Sequence, residues 1–150
     1  MARIKIELPE QFDFSCQISI RITDINYGGH VGNDTILSII HEARMQFFKH
    51  YGYSEMQLAG TGIILADVGI EFKSELFYGD TVIAYVTAAE FGKVNFDVFY
   101  KLEKQLNDKR ILVALAKTGI VCYDYNKKKM VAVPEEVKNK LGISRYDSPM

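Results

Sequence analysis

An α+β fold, in which one long central helix is wrapped by a curved antiparallel sheet, is what the amino-acid sequence predicts. Two patterns lead to this prediction: a single long amphipathic helix follows the first strand, and strand-like segments fill most of the remaining chain. A helix and a sheet that each have one apolar face are stable when those faces pack against each other. The 150 residues are enough for one domain over residues 1–150, whose core needs neither a metal ion nor a disulfide bond.

The first predicted element is a strand from Cys16 to Thr23. Isoleucine alternates with polar residues along it, and this period of two is typical of a half-buried strand. A loop that contains three glycines follows, and it leads directly into the long helix. A short polar loop is therefore expected to connect this strand to the start of the helix.

The long helix is predicted over residues 34–51. Its apolar residues share one broad face, which suggests that a sheet surrounds much of its circumference. They are Ile36, Ile39, Ile40, Ala43, Phe47 and Tyr51, flanked by Leu37 and Phe48. One of Asn33, Asp34 and Thr35 is expected to cap the first turn, and Gly52 is expected to end the helix.

Strand-like segments follow the helix and are predicted to form an antiparallel meander. They cover residues 63–76, 81–90, 94–101 and 110–124. The turn at 77–80, the hairpin signal at 91–93 and the polar segment at 105–109 separate them. Pro134 is expected to open a short final helix, and residues 144–150 are expected to form a loose tail. Because such a sheet leaves open edges, a homodimer is also expected.

Composition and charge argue against several classes of function. The formal net charge of −1 and the sequence pI of about 6.3 do not favour binding to nucleic acid or to a membrane. The sequence has no apolar run of the ~20 residues that a membrane span needs, and its first residues do not resemble a signal peptide. Cys16 and Cys122 form no CxxC pair and are expected as reduced thiols. We therefore expect a cytoplasmic protein.

The loop from Thr23 to Asp34 is the strongest candidate for a functional site. It combines two aspartates, two asparagines and one histidine with three glycines, immediately before the helix. Glycine allows backbone to approach a ligand, and the N–H groups at a helix start stabilise negative charge. Asp24, His30 and Asp34 are the candidates for acid–base chemistry. A carboxylate or histidine that faces such N–H groups suits hydrolysis of an ester or thioester.

Each of these residues also has a purely structural interpretation. Asp34 suits a helix cap, Asp24 and Asn26 suit Asx turns, and Glu42 suits the solvated stripe of the helix. A nucleophilic Cys16 is disfavoured because it lies at the far end of its strand from the loop. The sequence contains no GxSxG, Walker, GxGxxG or HExxH motif. The crowding of polar residues into one short loop is what favours a site.

The run Arg21–Asn33, followed by His41-Glu42-Ala43-Arg44 in the helix, resembles the hot-dog-fold acyl-CoA thioesterases. The most similar branch contains the hydroxybenzoyl-CoA thioesterases and their acyl-CoA and acyl-carrier-protein relatives. Its members show an Asp-x-Asp-like element, a Gly-His-Val-x-Asn-like element and a helix that bears Glu-Ala-Arg. The turn Tyr78-Gly79-Asp80 also matches. The resemblance covers nearly the whole chain and implies the hot-dog fold, a homodimer or tetramer, and sites at the subunit interface.

The same resemblance implies a substrate, which is an acyl thioester of coenzyme A or of acyl-carrier protein. It implies no metal and no cofactor beyond the coenzyme A that is part of the substrate. In the family, backbone at the helix start holds the thioester oxygen, which makes Gly29 and Asn33 candidate binding residues here. The hairpin near Lys93 and Asn95 is expected to lie beside the phosphates of the coenzyme.

One position departs from the family pattern. The second acid of the Asp-x-Asp element is Asn26 here, and an amide is neither a general base nor a carboxylate nucleophile. Asp34 and Glu42 are the obvious replacements. We therefore expect Asn26 and His30 to orient substrate or water, Asp34 to provide the charge, and Glu42 to line the acyl pocket.

Three functions are compatible with these residues. Thioester hydrolysis is favoured, because the loop and the helix motif both match the thioesterases. A non-catalytic acyl-CoA-binding protein is the first alternative, since Asn26 replaces an acid. A hot-dog dehydratase or hydratase is the second alternative, although the chain lacks the Pro-rich and Asp/Asn-Pro motifs of those enzymes.

Overall fold

A computed structural model describes residues 2–142, and it confirms the predicted α+β class. The predicted tail at 144–150 lies outside the described residues. In chain order the elements are β1 (Phe14–Ser19), a 3₁₀ turn (Ile22–Asp24), α1 (Asn33–His50), β2 (Gly62–Phe72), β3 (Thr81–Ala89), β4 (Asn95–Leu106), β5 (Lys109–Asp124), β6 (Lys129–Met130) and α2 (Glu135–Leu141).

The strands form one antiparallel sheet in the order β1–β3–β4–β5–β2, and β6 pairs with the end of β5. The prediction of a four-strand meander is therefore wrong in one respect. Strands β3, β4 and β5 are consecutive neighbours, but β2 pairs with β5 at one edge and β1 pairs with β3 at the other. Alternation of side chains determines which face of a strand is buried, and it does not determine which strand lies beside it.

β1 ends earlier than the sequence pattern predicted. The strand stops at Ser19, and the following residues turn because the Asp24 carboxylate accepts a hydrogen bond of 2.8 Å from the Arg21 N–H. Ile22, which continued the predicted alternation, is exposed. Asp24 therefore closes a capping box on the 3₁₀ turn, and this hydrogen bond is not the predicted Asx turn. The turn directs the chain from the sheet into the glycine-rich loop.

α1 buries the face that its sequence pattern predicted. The fully or almost fully buried apolar residues are Ile36, Ile39, Ile40, Ala43, Phe47 and Phe48. Leu37, by contrast, remains 44% exposed. The helix is capped by Gly32, so none of the three predicted side chains caps it. It ends as predicted, with Gly52 at a φ of +85°, a left-handed conformation that favours glycine.

The core also encloses the guanidinium of Arg44, which is 2% exposed. The Arg44 Nε donates a hydrogen bond of 2.8 Å to Oε2 of Glu55, and its Nη1 donates a hydrogen bond of 3.3 Å to the Tyr100 hydroxyl. The Tyr100 hydroxyl in turn shares a hydrogen bond with Thr118. Burial alone would raise the pKa of Glu55, but hydrogen bonds from Arg44 and His41 outweigh it and lower that pKa. A buried cation is thus matched by an ionised carboxylate.

Sequence reasoning did not predict this ion pair. The available signal was the position of Arg44, which lies four residues after Ile40 and three before Phe47, on the apolar face of the helix. A cation on that face must be paired when the face is buried. The identity of its partner, which lies eleven residues along the chain in the segment after the helix, could not be inferred from helical spacing.

We predict that Glu55→Ala will lower the free energy of unfolding by about 3 kcal/mol at neutral pH, because Arg44 would stay buried without its carboxylate. Since the pKa of Glu55 is lowered in the folded state, its contribution is complete above its ordinary value of 4.5 and is lost below it. Urea unfolding at several pH values should therefore show that the difference in free energy of unfolding between wild type and Glu55→Ala becomes smaller as the pH falls. Glu135→Ala, at an exposed position of α2, is the control. Equal stability of wild type and Glu55→Ala at neutral pH would contradict the prediction.

Candidate active site

The glycine-rich loop is held in shape by its own backbone. The Asn26 N–H donates to the His30 carbonyl at 3.0 Å, and the Gly29 N–H donates to the Asn26 carbonyl at 3.1 Å. The side-chain oxygen of Asn26 accepts a hydrogen bond of 2.9 Å from the Gly28 N–H, so the predicted Asx turn is present. Gly29 has a φ of +81°, which explains the glycine at that position. The loop therefore presents its side chains in a defined arrangement.

Three of the predicted site residues come together around two glycines. A Cβ atom at Gly28 would lie 3.0 Å from the His30 ring and 3.3 Å from the Asn26 side-chain oxygen. A Cβ atom at Gly32 would lie 2.7 Å from an Asp34 carboxylate oxygen and 3.4 Å from the Asn26 side-chain nitrogen. The Asn26 side chain therefore lies near the His30 ring on the Gly28 side and near the Asp34 carboxylate on the Gly32 side. The two glycines leave the space that these side chains occupy.

The start of α1 lies beside this cluster and presents unpaired donors. The Gly32 carbonyl accepts hydrogen bonds of 3.1 Å from the N–H groups of Thr35 and Ile36. The preceding N–H groups, of Asn33 and Asp34, belong to a first turn that has no side-chain cap, and no acceptor within residues 2–142 bonds to them. Donors of this kind at the positive end of a helix stabilise a carbonyl oxygen that gains negative charge.

A small cavity opens beside His30. It has a volume of about 240 Å³ and is lined by the loop, the first turns of α1 and the segment that follows β2. Nε2 of His30 lies 4.0 Å from a carboxylate oxygen of Glu75, and the Val31 N–H donates to the Leu76 carbonyl at 2.9 Å. Glu75 is a site neighbour that sequence reasoning missed, because only the tertiary fold brings this segment to the loop.

A larger cavity of about 620 Å³ lies between α1 and β2. α1 packs most closely on β1 and β3, and this leaves space on its β2 side. The cavity begins at Leu37 and Ser38, one turn beyond Asp34, and continues to His41 and Arg44. Its position next to the helix start makes it the candidate binding space for an acyl group.

Glu42 borders a groove that Asp34 does not line. It is exposed, accepts a hydrogen bond of 2.7 Å from Gln46, and borders a groove of about 420 Å³ between α1 and β1. Burial, together with the charge of Glu42, raises the pKa of the nearby Cys16 thiol to about 11. Cys16 is therefore protonated at neutral pH and is a poor nucleophile. The groove at Glu42 and the cavity beside β2 lie on different sides of the helix.

Lys93 and Asn95 lie far from the loop within one chain. Ser19, at the end of β1, pairs with Thr81 at the start of β3, so the loop is at that end of the sheet. The hairpin that carries Lys93 follows the other end of β3, at Ala89. Both side chains are exposed. One chain therefore places these residues and the loop cluster at opposite ends of the sheet.

Three further features of the described chain bear on the site. Within residues 2–142, no group of three or more His, Cys, Asp and Glu side chains is arranged to hold a metal ion. In the same part of the chain, none of the helices has the length and apolar character of a membrane span. Cys16 and Cys122 are both free thiols, and Cys122 is buried.

Known proteins share this sequence pattern and this fold. The chain is 28% identical over 126 residues to the 1,4-dihydroxy-2-naphthoyl-CoA hydrolase of Microcystis aeruginosa, which corresponds to 82% of this chain and 88% of that protein. The solved 1,4-dihydroxy-2-naphthoyl-CoA thioesterase from Synechocystis superposes with a TM-score of 0.77 at 20% identity, over 91% of this chain and 98% of that one. A mutant of 4-hydroxybenzoyl-CoA thioesterase in complex with 4-hydroxybenzoyl-CoA superposes with a TM-score of 0.77 at 14% identity. The superposition covers 85% of this chain and 97% of that one.

The structural likenesses establish the fold, and the sequence match establishes the family. The family model described as the thioesterase-like superfamily matches residues 20–141. This range contains the glycine-rich loop, α1 and every strand after β1. It also contains each residue that the sequence predicted for the site. The chain therefore belongs to the thioesterase-like superfamily.

Proposed function

We propose that this protein is an acyl-CoA thioesterase, which hydrolyses an acyl thioester to a free acid and a thiol, with Asp34 as the charged catalytic group. The observation that carries this proposal is the cluster of Asn26, His30 and Asp34 beside the unpaired N–H groups of the helix start. The relatives are named as a hydrolase and as thioesterases of acyl-CoA substrates. This favours hydrolysis over the binding-protein and dehydratase alternatives.

The geometry suggests a role for each group. The thioester carbonyl oxygen accepts hydrogen bonds from the N–H groups of Asn33 and Asp34, which stabilise the charge that develops during attack. The Asp34 carboxylate removes a proton from a water molecule, whose oxygen bonds to the carbonyl carbon. The C–S bond then breaks, and the leaving thiolate takes up the proton. Asn26 and His30 position the water and the substrate.

The proposal includes a homodimer that pairs along β2. This edge strand has one strand neighbour within residues 2–142, and several of its apolar side chains are more than one-third exposed, namely Ile64, Leu65, Val68 and Phe72. Antiparallel pairing with a second copy would cover this edge. It would also place the hairpin end of one chain beside the loop end of the other. Lys93 and Asn95 of one copy would then serve the loop cluster of its neighbour.

The remaining parts of the proposal concern the substrate and the setting. Coenzyme A, as part of the substrate, is the group that Lys93 would contact through a phosphate, with Asn95 beside it and Gly29 and Asn33 at the thioester. No separate cofactor is required for the reaction as written. We place the enzyme in the cytoplasm, in keeping with its two free cysteines.

Asp34→Ala and Asp34→Asn are expected to lower kcat by about 10²–10⁴, because each removes the base while leaving the helix start in place. Release of free thiol from a panel of acyl-CoA substrates measures this effect. Asp108→Ala, at an exposed turn position, is the matched control and is expected to retain activity. Full activity in a folded Asp34→Ala variant would rule out the assigned role.

Gly32→Ala is expected to reduce kcat at least tenfold with little change in stability. The backbone at Gly32 has a φ of −72°, which alanine accepts, but the added Cβ would lie 2.7 Å from the Asp34 carboxylate and displace it. Thiol release and thermal unfolding of the same preparation test both parts. Gly92→Ala, which would meet the side chain of Asn95 at the proposed coenzyme site instead, is expected to change KM and not kcat. Unchanged kcat in Gly32→Ala would contradict the proposed position of Asp34.

Lys93→Ala is expected to raise KM about tenfold with kcat unchanged, as loss of one charge-assisted hydrogen bond of roughly 1.5 kcal/mol would do. The effect should disappear with a truncated thioester that lacks the coenzyme phosphates. Lys49→Ala, at an exposed position of α1, is the control for loss of a positive charge. A KM for Lys93→Ala that equals the wild-type value would contradict the proposed contact between Lys93 and a coenzyme phosphate.

A further inference from the structure

The cavity of about 620 Å³ between α1 and β2 combines apolar walls with one connected polar cluster. Leu37, Leu65 and Val68 contribute apolar surface, and His41 and Glu55 contribute the polar cluster together with Arg44. A mostly apolar cavity of this volume with a few fixed polar groups is typical of a small-molecule site. Polar groups in such a site determine which ligand is accepted.

The cluster fixes the orientation of the His41 ring. Nε2 of His41 lies 2.9 Å from Oε1 of Glu55, and the other oxygen of Glu55 accepts a hydrogen bond of 2.8 Å from Arg44. The Arg44 side chain is almost completely buried and is itself bonded to the Tyr100 hydroxyl. His41 differs from its partners because its side chain is 55% exposed. The core ion pair already satisfies Arg44 without His41, so the histidine extends the cluster into the cavity.

The hydrogen bond to Glu55 also determines what the ring offers to a ligand. An ionised carboxylate only accepts hydrogen bonds, so Nε2 must carry the hydrogen. In the neutral imidazole the second nitrogen, Nδ1, is then an acceptor. No donor within residues 2–142 bonds to Nδ1. In its neutral form the ring is therefore an oriented acceptor at the wall of an apolar cavity, and a hydroxyl group is a substituent that it would recognise.

His41 lies on the same face of α1 as Asp34, two turns further along, which is about 10 Å along the helix axis. We propose that His41, positioned by Glu55 and Arg44, is a specificity-determining residue that accepts a hydrogen bond from a hydroxyl group on the acyl part of the substrate. This rests on the proposed function, because it takes the thioester carbonyl to be bound at the start of α1. A hydroxyaryl group and a terminally hydroxylated alkyl chain both have a suitable length.

Two matched substrate pairs test the proposal in the full-length protein. One is 4-hydroxybenzoyl-CoA with benzoyl-CoA, and the other is 6-hydroxyhexanoyl-CoA with hexanoyl-CoA. The wild type is expected to prefer the hydroxylated member of at least one pair about tenfold in kcat/KM, and the pair that shows it distinguishes a rigid from a flexible acyl group. Absence of a preference in both pairs would overturn the proposal.

His41→Phe is expected to abolish the preference by lowering kcat/KM for the hydroxylated member to that of the unhydroxylated one. His41→Gln, which has a donor for Glu55 and an acceptor for the substrate, is expected to restore part of it. His50→Phe, on the same helix but outside this cavity, is the matched control. If His41→Phe does not fold, His41→Ala replaces it without adding volume. A preference that persists in the folded His41 variant would overturn the proposal.

A binding measurement separates this proposal from the proposed function. Non-hydrolysable thioether analogues, 4-hydroxyphenacyl-CoA with phenacyl-CoA and the 6-hydroxyhexyl with the hexyl thioether, can be titrated calorimetrically into wild type and His41→Phe. One possible outcome is that no thioester is hydrolysed, while wild type, but not His41→Phe, binds the hydroxylated analogue more tightly. This outcome would contradict the proposed thioesterase activity and would support hydroxyl recognition by His41. Equal binding within both pairs, or no binding of any analogue, would overturn the recognition itself.

Discussion

The burial of one face of α1 against β1 and β3 is the interaction on which the rest of this structure depends. It holds the helix start beside the glycine-rich loop, and it leaves the helix separated from β2 by a cavity. The same packing takes Arg44 into the core, where Glu55 compensates its charge. One packing arrangement therefore positions the candidate catalytic loop, the candidate acyl space beside it and the polar cluster that lines this space.

The start of α1 departs from the usual capped helix start. A helix gains stability from a side-chain cap, but this helix begins after Gly32, and no acceptor within residues 2–142 bonds to its first N–H groups. Asp34, which could have capped the helix, has its carboxylate next to Gly32, on the side where the Asn26 amide also lies. Departures from local preference are expected where function requires them. The missing family acid at Asn26 and the nearby Asp34 carboxylate are best understood together.

A single chain of this thioesterase-like fold contains only part of the expected site. The loop cluster and the hairpin at Lys93 lie at opposite ends of one sheet, and within residues 2–142 β2 is an edge strand with one strand neighbour. The proposed antiparallel association along β2 would relate the two ends by symmetry. The separation within one chain is therefore a consequence of strand order, and it agrees with the interface site that the family resemblance implied.

The sequence by itself determined the local structure of this protein: the helix to within one residue at each end, its buried face, the glycine at its end, the segments that form strands and the loop before the helix. These follow from side-chain periodicity and from residue-specific backbone preferences, which act over a few residues. Only the tertiary structure decided that β2 lies beside β5, that Glu55 pairs with Arg44, and that Glu42 does not line the cavity beside β2. Strand neighbours and ion-pair partners are selected by the packing of the whole chain, so no local pattern specifies them.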